Sequence, residues 1–241
     1  MNYKRLLINS IFVLMALLIP IIIFLYSFNS IVFDRDYYKK EFTKYNVYEN
    51  LKDYDAEKIN DGILDYFISG KNNGLIENDF FNEREKVHLL DVKSIIQEIF
   101  SMYHLSIILF ILFSIALAFL MELNFKNIFK KFFIISLFGC SITFLVGILI
   151  YISSNFNFDF VFGIFHKTFF NAGTFIFDPE FERIVVLYPQ NLFFDFLSRI
   201  ISNAIISSII LFFLCLTFLF IFFQPKIFKF FSKNTDGKHK K

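Results

Sequence analysis

The chain has 241 residues, 56% of them hydrophobic and 19% charged, with 40 phenylalanines, no tryptophan and a mean hydropathy of +0.57. A soluble domain of this length has no core large enough for that apolar fraction, so the composition excludes an ordinary globular enzyme and makes the bilayer the simpler solvent. A net charge of +2 argues against a nucleic-acid partner, and Cys140 and Cys215 both lie in apolar runs, which gives no disulfide framework.

Residues 6–26 form the first apolar run, preceded by Lys4 and Arg5 as a signal peptide would be. The run outlasts a typical signal core and no small-x-small cleavage site follows, so it reads as an uncleaved span with a kink at Pro20. Residues 34–98 then form a polar segment long enough to fold into a small cap. Within it, DAEKINDGILDYFISG predicts a helix capped by Asp55 and ended by Gly70, with Ile59, Ile63, Phe67 and Ile68 on one face. That face needs cover, from a second loop or from the bilayer surface. After KNNG, Asn82 and Glu85 have the spacing of a capping box, so a helix is expected from Glu83 directly into the second span, residues 100–121.

On that helix Arg84, Glu85, His88 and Asp91 share a face, because residues three and four apart are neighbours. Asp91 is placed to orient the His88 imidazole and Arg84 to bind an ester oxygen or a phosphate. A solvated amphipathic helix with routine ion pairs fits the same pattern. The third and fourth spans are residues 132–152 and 200–223, which makes an all-α protein with four transmembrane helices. Between them FNFDFVFGIFHKTFF is too short to span and reads as a re-entrant or interfacial segment. It carries His166, either packed among aromatics or functional, as an ionisable group at membrane depth is by default. NAGT reads as a turn, DPEFERIVVLYPQN as a short strand or extended segment closed by Pro189, and NLFFDF as an interfacial shoulder leading into the last span. His104 sits one turn inside the second span and His239 in the basic tail.

Lys and Arg set the orientation. They precede the first span, occupy the 122–131 turn and crowd the tail, so these three segments are expected in the cytoplasm. Residues 34–98 carry 15 acidic and 10 basic side chains and residues 153–198 five and two, so both belong outside. The resulting organisation is 1–33, N-terminus and first span; 34–98, cap; 99–152, second and third spans; 153–198, second outer loop; 199–241, fourth span and tail. The tail also suits anionic lipid.

No H-E-x-x-H helix, G-x-S-x-G elbow or phosphate-binding glycine loop is present. His88, His166 and Asp91 are a weak candidate metal set, since a catalytic zinc needs three ligands in good geometry. Metal-free acid-base chemistry needs only one base and one oxyanion donor. A metal-dependent hydrolase at the membrane surface and a non-enzymatic scaffold or accessory subunit stay open on the residues alone.

The stretch EREKVHLLDVKSI resembles the R-E-x-x-H-x-x-D-V signature of the bacterial lipoprotein intramolecular transacylases. IFHKTFF, GTFIF and VVLYPQNLFF resemble that family's F-H-x-x-F-F, G-T-W-x-F and L-I-x-L-x-P-x-x-F-F patterns in the same order, with Phe175 where the family usually has Trp. The resemblance covers nearly the whole chain. It implies transfer of the sn-2 acyl chain of a diacylated lipoprotein to the α-amino group of its own N-terminal cysteine, at the outer surface of the bacterial cytoplasmic membrane, without cofactor or metal. For that chemistry His88, oriented by Asp91, is expected as the general base, His166 as donor to the oxyanion or the glycerol oxygen, and Arg84 as an aid to the oxyanion, with the two histidines able to exchange roles. Which histidine is the base, which acyl chains are used and the oligomeric state are left open.

Overall fold

The computed structural model describes residues 3–69, 74–170 and 176–223. Among them there is no strand, and four helices are long and apolar enough to cross a membrane: α1 (Tyr3–Val32), α5 (Glu83–Leu120), α6 (Phe125–Phe156) and α9 (Gln190–Phe223). At 1.5 Å per residue a 38-residue helix such as α5 is about 57 Å long, against a hydrocarbon thickness of about 30 Å. The surplus is its first five turns, where Arg84, Glu85, Asp91, Lys93 and Glu98 stand clear of the apolar stretch.

The bundle is held by close backbone approach. Apolar contact gains little between helices already solvated by lipid, so small residues that let helices touch do much of the work. α6 buries Ser136, Gly139, Cys140, Thr143 and Gly147. A Cβ on Gly139 would lie 2.6 Å from that of Ile19 in α1. Met15, Ile19, Leu117, Ile135 and Ala204 fill the space between the four helices. α1 runs through Pro20 without a break. α5 turns into α6 over residues 121–124, with Glu122 and Leu123 in the left-handed region and Glu122 paired to Lys4.

At the other end lies the cap: α2 (Arg35–Lys44), α3 (Val47–Asn50), α4 (Ala56–Ile68) and the first turns of α5. α2 was not foreseen. The Asp34 side chain caps it by accepting from the Tyr37 amide at 3.1 Å, and Tyr37, Tyr38 and Phe42 enter the core. α4 begins as expected, with the Asp55 carboxylate accepting from the Lys58 amide at 3.0 Å. Ile59, Ile63 and Phe67 are buried, but Ile68 is exposed. At 100° per residue Ile68 lies about 140° from Ile63, off the stripe. The expected terminator Gly70 lies outside the described residues. The apolar face of α4 is covered by neither single candidate but by α2, α3 and residues 76–81 with Leu89 and Ile96 of α5 and Ile184 and Leu187 of the second loop.

In the second loop α6 ends and α7 (Phe158–Phe169) begins on one residue. The Asn157 amide donates to the Ser153 carbonyl at 3.1 Å while its side chain accepts from the Phe160 amide at 3.0 Å. Within residues 178–191, where a short strand or extended segment is expected, Ile184–Leu187 form a single helical turn, α8. The β-branched run suggests extended backbone, but no strand occurs among the described residues for it to pair with, and a side chain from α5 takes the first amide.

Candidate functional site

Side chains of α5 join the two loops. The reciprocal capping box is formed: the Asn82 side chain accepts from the Glu85 amide at 2.9 Å and a Glu85 oxygen accepts from the Asn82 amide at 2.7 Å. The other Glu85 oxygen accepts from the Ile184 amide at 2.7 Å, so one buried carboxylate starts α5 and anchors α8. Arg84 donates Nη1 to Glu182 at 2.7 Å and Nη2 to the Ile176 carbonyl. Arg183 donates to the Phe80 carbonyl at 3.0 Å, and the Tyr188 hydroxyl to Asn60 at 2.7 Å. Lower on the cap, Lys44 and Tyr45 both bond Asp195 of α9.

This stitching brings His88 and His166, 78 positions apart in sequence, to the same aromatic side chain. The Phe170 ring lies 4.7 Å from the His88 ring and 5.3 Å, nearly parallel, from that of His166, so the imidazoles are no further apart than those two distances combined. Both are more than nine-tenths buried. Phe177 meets His88 edge-on at 5.1 Å, and Phe162 contacts His166 at 4.1 Å.

The rings differ in hydrogen bonding. His166 donates Nδ1–H to the Phe162 carbonyl one turn earlier, at 2.8 Å. That bond fixes the tautomer and leaves the lone pair on Nε2. Nδ1 of His88 is buried without a hydrogen-bond partner among the described residues, so the orienting bond expected from Asp91 is not made to that atom. Burial, then the neighbouring His166 and Arg84, pushes the His88 pKa down to about 4. Burial also lowers His166 from its ordinary value, against the opposing effect of the Phe162 bond. Two neutral imidazoles in an aromatic recess can accept a proton at one nitrogen and offer a hydrogen at another.

Arg84 is one turn from His88, with its guanidinium carbon 5.0 Å from the Phe177 ring. Asp91 is only partly buried. His104 bonds its own helix, at the Phe100 carbonyl, and stands apart from the site. His239, the 171–174 turn and Phe175 lie outside the described residues. No group of three or more His, Cys, Asp or Glu side chains able to hold a metal occurs among the described residues. A cavity of 660 Å³ lined by Ile19, Ile107, Phe132 and Leu214 lies about 28 Å along α5 from His88, so it belongs to the bilayer-facing bundle and not to this recess. The sequence places Phe170 beside His166 and Phe177 within GTFIF but gives neither of them, nor Glu182, a part in the site. The F-H-x-x-F-F spacing contained Phe170, but the bonds of Glu182 depend on a chain reversal that no local pattern reports.

Fold and recess together define a multi-pass membrane protein with two buried imidazoles under a helical cap. The chain belongs to the lipoprotein intramolecular transacylase family, whose members are acyltransferases: the model of the family described as lipoprotein intramolecular transacylase Lit matches residues 13–194. No curated protein is similar enough in sequence to match. The membrane integral lipoprotein intramolecular transacylase Lit from Bacillus cereus, solved in meso, is 21% identical, covers 96% of this chain and 98% of that one, and superposes with a TM-score of 0.71. Forms of the Bacillus protein with one histidine replaced by arginine or by alanine are each 22% identical over 88% of this chain and 92% or 94% of theirs, with TM-scores of 0.71.

Proposed function

We propose that the cap faces the outside of the bacterial cytoplasmic membrane and that the recess moves the sn-2 acyl chain of a diacylglyceryl-cysteine lipoprotein onto the α-amino group of the same cysteine. The observation that carries this reading is the meeting of His88 and His166, one from each loop, at the ring of Phe170. The product is an N-acylated lyso-lipoprotein. Ester and amine reside on one molecule, so no second acyl donor enters.

The free amine attacks the ester carbonyl, forming a C–N bond and an oxyanion. His166 Nε2, which carries the lone pair in the tautomer fixed by the Phe162 bond, takes a proton from the attacking nitrogen. His88, kept neutral, donates its N–H to the oxyanion, with the Arg84 charge one turn away favouring the same negative oxygen. Collapse breaks the bond from the acyl carbon to the glycerol oxygen, which takes the proton back from His166. Asp91 has no step here; its partial burial suits the polar flank of α5. Alignment of amine and ester accounts for a large part of the barrier reduction, since well-oriented intramolecular reactions save about 7–11 kcal/mol. On α7 Phe165 and Phe169, one turn apart, are exposed beside His166 and suited to the substrate's acyl chains.

The test uses purified protein in proteoliposomes with a synthetic diacylglyceryl lipopeptide, and mass spectrometry of the product. His166→Ala is expected to cost at least about 10²-fold in rate, the scale of positioned general-base catalysis. Conversion by the His166→Ala and His88→Ala proteins at the unmodified rate would sink the paired-histidine mechanism.

A further inference from the structure

The wall of the recess beside His88 is held by a buried carboxylate to which the proposed chemistry gives no step. Phe177 meets the His88 ring edge-on at 5.1 Å. The residue before it, Ile176, gives its carbonyl to Arg84, and the residue after it, Asp178, donates its amide to Glu182 at 2.6 Å. The second Glu182 oxygen accepts from Arg84 at 2.7 Å, so Phe177 sits in a bracket whose two arms meet on one carboxylate. Glu182 is 5% exposed, and both its oxygens are occupied by donors.

Two features separate this bracket from general loop attachment. The 178–182 turn already closes on itself, with the amides of Phe181 and Glu182 donating to the Asp178 carbonyl at 3.0 and 2.8 Å. The loop is also pinned to α5 and to residue 80 by the Glu85–Ile184 and Arg183–Phe80 bonds. The Glu182 side chain therefore adds something local, the position of the Phe177 ring and of the Arg84 charge. We infer that Glu182 is a positioning residue for the acyl transfer, holding Phe177 and Arg84 in register with the His88 imidazole. The inference rests on the role given above to His88.

The experiment uses the full chain in nanodiscs with isotope-labelled histidine, comparing Glu182→Gln, Phe177→Leu and, as a control on the α5 turn that carries Arg84, Lys86→Gln. A glutamine at 182 cannot accept from both donors, because its amide nitrogen is itself a donor. Phe177→Leu opens the same wall and leaves the ion pair intact, so it covers the case in which the charge change disturbs folding. Both are expected to move the His88 titration midpoint upward from about 4, because burial is the largest of its causes. Turnover should fall roughly tenfold to a hundredfold with KM changed less than about twofold, the pattern of misalignment without lost binding. Lys86→Gln should match the parent. An unchanged His88 titration in a folded Glu182→Gln protein would overturn the inference. A shifted titration with parental turnover would support the bracket and count instead against the role given to His88.

Discussion

Burial between Phe170 and Phe177 leaves the His88 imidazole little water with which to stabilise a charge, and the Arg84 guanidinium one turn away adds to the cost. The group's pKa is about 4 when folded, against about 6.5 when unfolded. Between those values the unfolded chain binds more protons, so stability should fall as pH drops from 6.5 through 4 and be complete above 6.5. Thermal unfolding in detergent from pH 4 to 8 checks this, with His88→Asn expected to flatten the acid side of the curve. The rate should show a different limb. With His166 lowered below its ordinary value, its Nε2 is unprotonated at neutral pH, and the ionisation in view is that of the substrate amine, free pKa about 7.7–8.0. kcat/KM for the lipopeptide should therefore rise up to about pH 8 and then level. An enzyme ionisation at or above pH 6.5 in kcat that disappears with His166 would show that imidazole protonated in the neutral range, against the lowering that burial gives it.

The first turn of α5 concentrates more of the architecture than any other, and Glu85 carries most of it. Asn82→Ala removes one cap and should lower stability by about 1 kcal/mol. Glu85→Gln should cost more, about 1–3 kcal/mol, because a buried amide donor then faces the backbone N–H of Asn82 or Ile184. Denaturant unfolding of the two variants side by side gives the comparison, and equal losses would mean that the Ile184 bond adds nothing. The cap half of this arrangement was legible in the sequence, since Asn82 and Glu85 are three residues apart and need no tertiary knowledge. The apolar stripe of α4 and the four spans were legible for the same reason, being periodic or continuous patterns. α2 was not, because its buried face is made of Tyr37, Tyr38, Glu41 and Phe42 amid charged residues, and its burial depends on Phe196 and Tyr188 from the far end of the chain. The helical turn α8 was not legible where a short strand or extended segment was expected, because propensity was all the sequence offered, whereas the deciding contact, from Glu85, is 99 residues away. The Phe170 meeting point was likewise invisible: each histidine motif was readable alone, but their approach is a tertiary fact.

Across the whole molecule, the four long helices are packed backbone to backbone at one point and more loosely at another, which gives a matched pair of variants on a single helix. Gly139 and Gly147 are both buried in α6, two turns apart. A methyl at Gly147 would find its nearest neighbour, Ile201, at 3.5 Å, an ordinary contact, whereas one at Gly139 would meet three atoms of Ile19 within 2.8 Å. The clash at Gly139 is with the Cβ and branched atoms of a residue just ahead of Pro20, in a helix that cannot yield without moving its own backbone. Gly139→Ala should therefore push α1 away from α6 and cost about 1–3 kcal/mol, the usual range for overpacking. Gly147→Ala should be neutral or slightly stabilising, since an alanine favours the helix by about 1 kcal/mol over glycine. α1 leads into the cap through Ile31 and Val32, which are buried in the cap core, so displacing it also strains the seat of α2. The Gly139 variant should then lose acyl transfer in proportion to its loss of structure, although residue 139 lies deep in the bundle. Unfolding in mixed micelles and the lipopeptide assay on the same preparations decide the matter. Equal stability of the two variants would mean that the α1–α6 contact gives way freely and that the cap does not depend on how the bundle is packed.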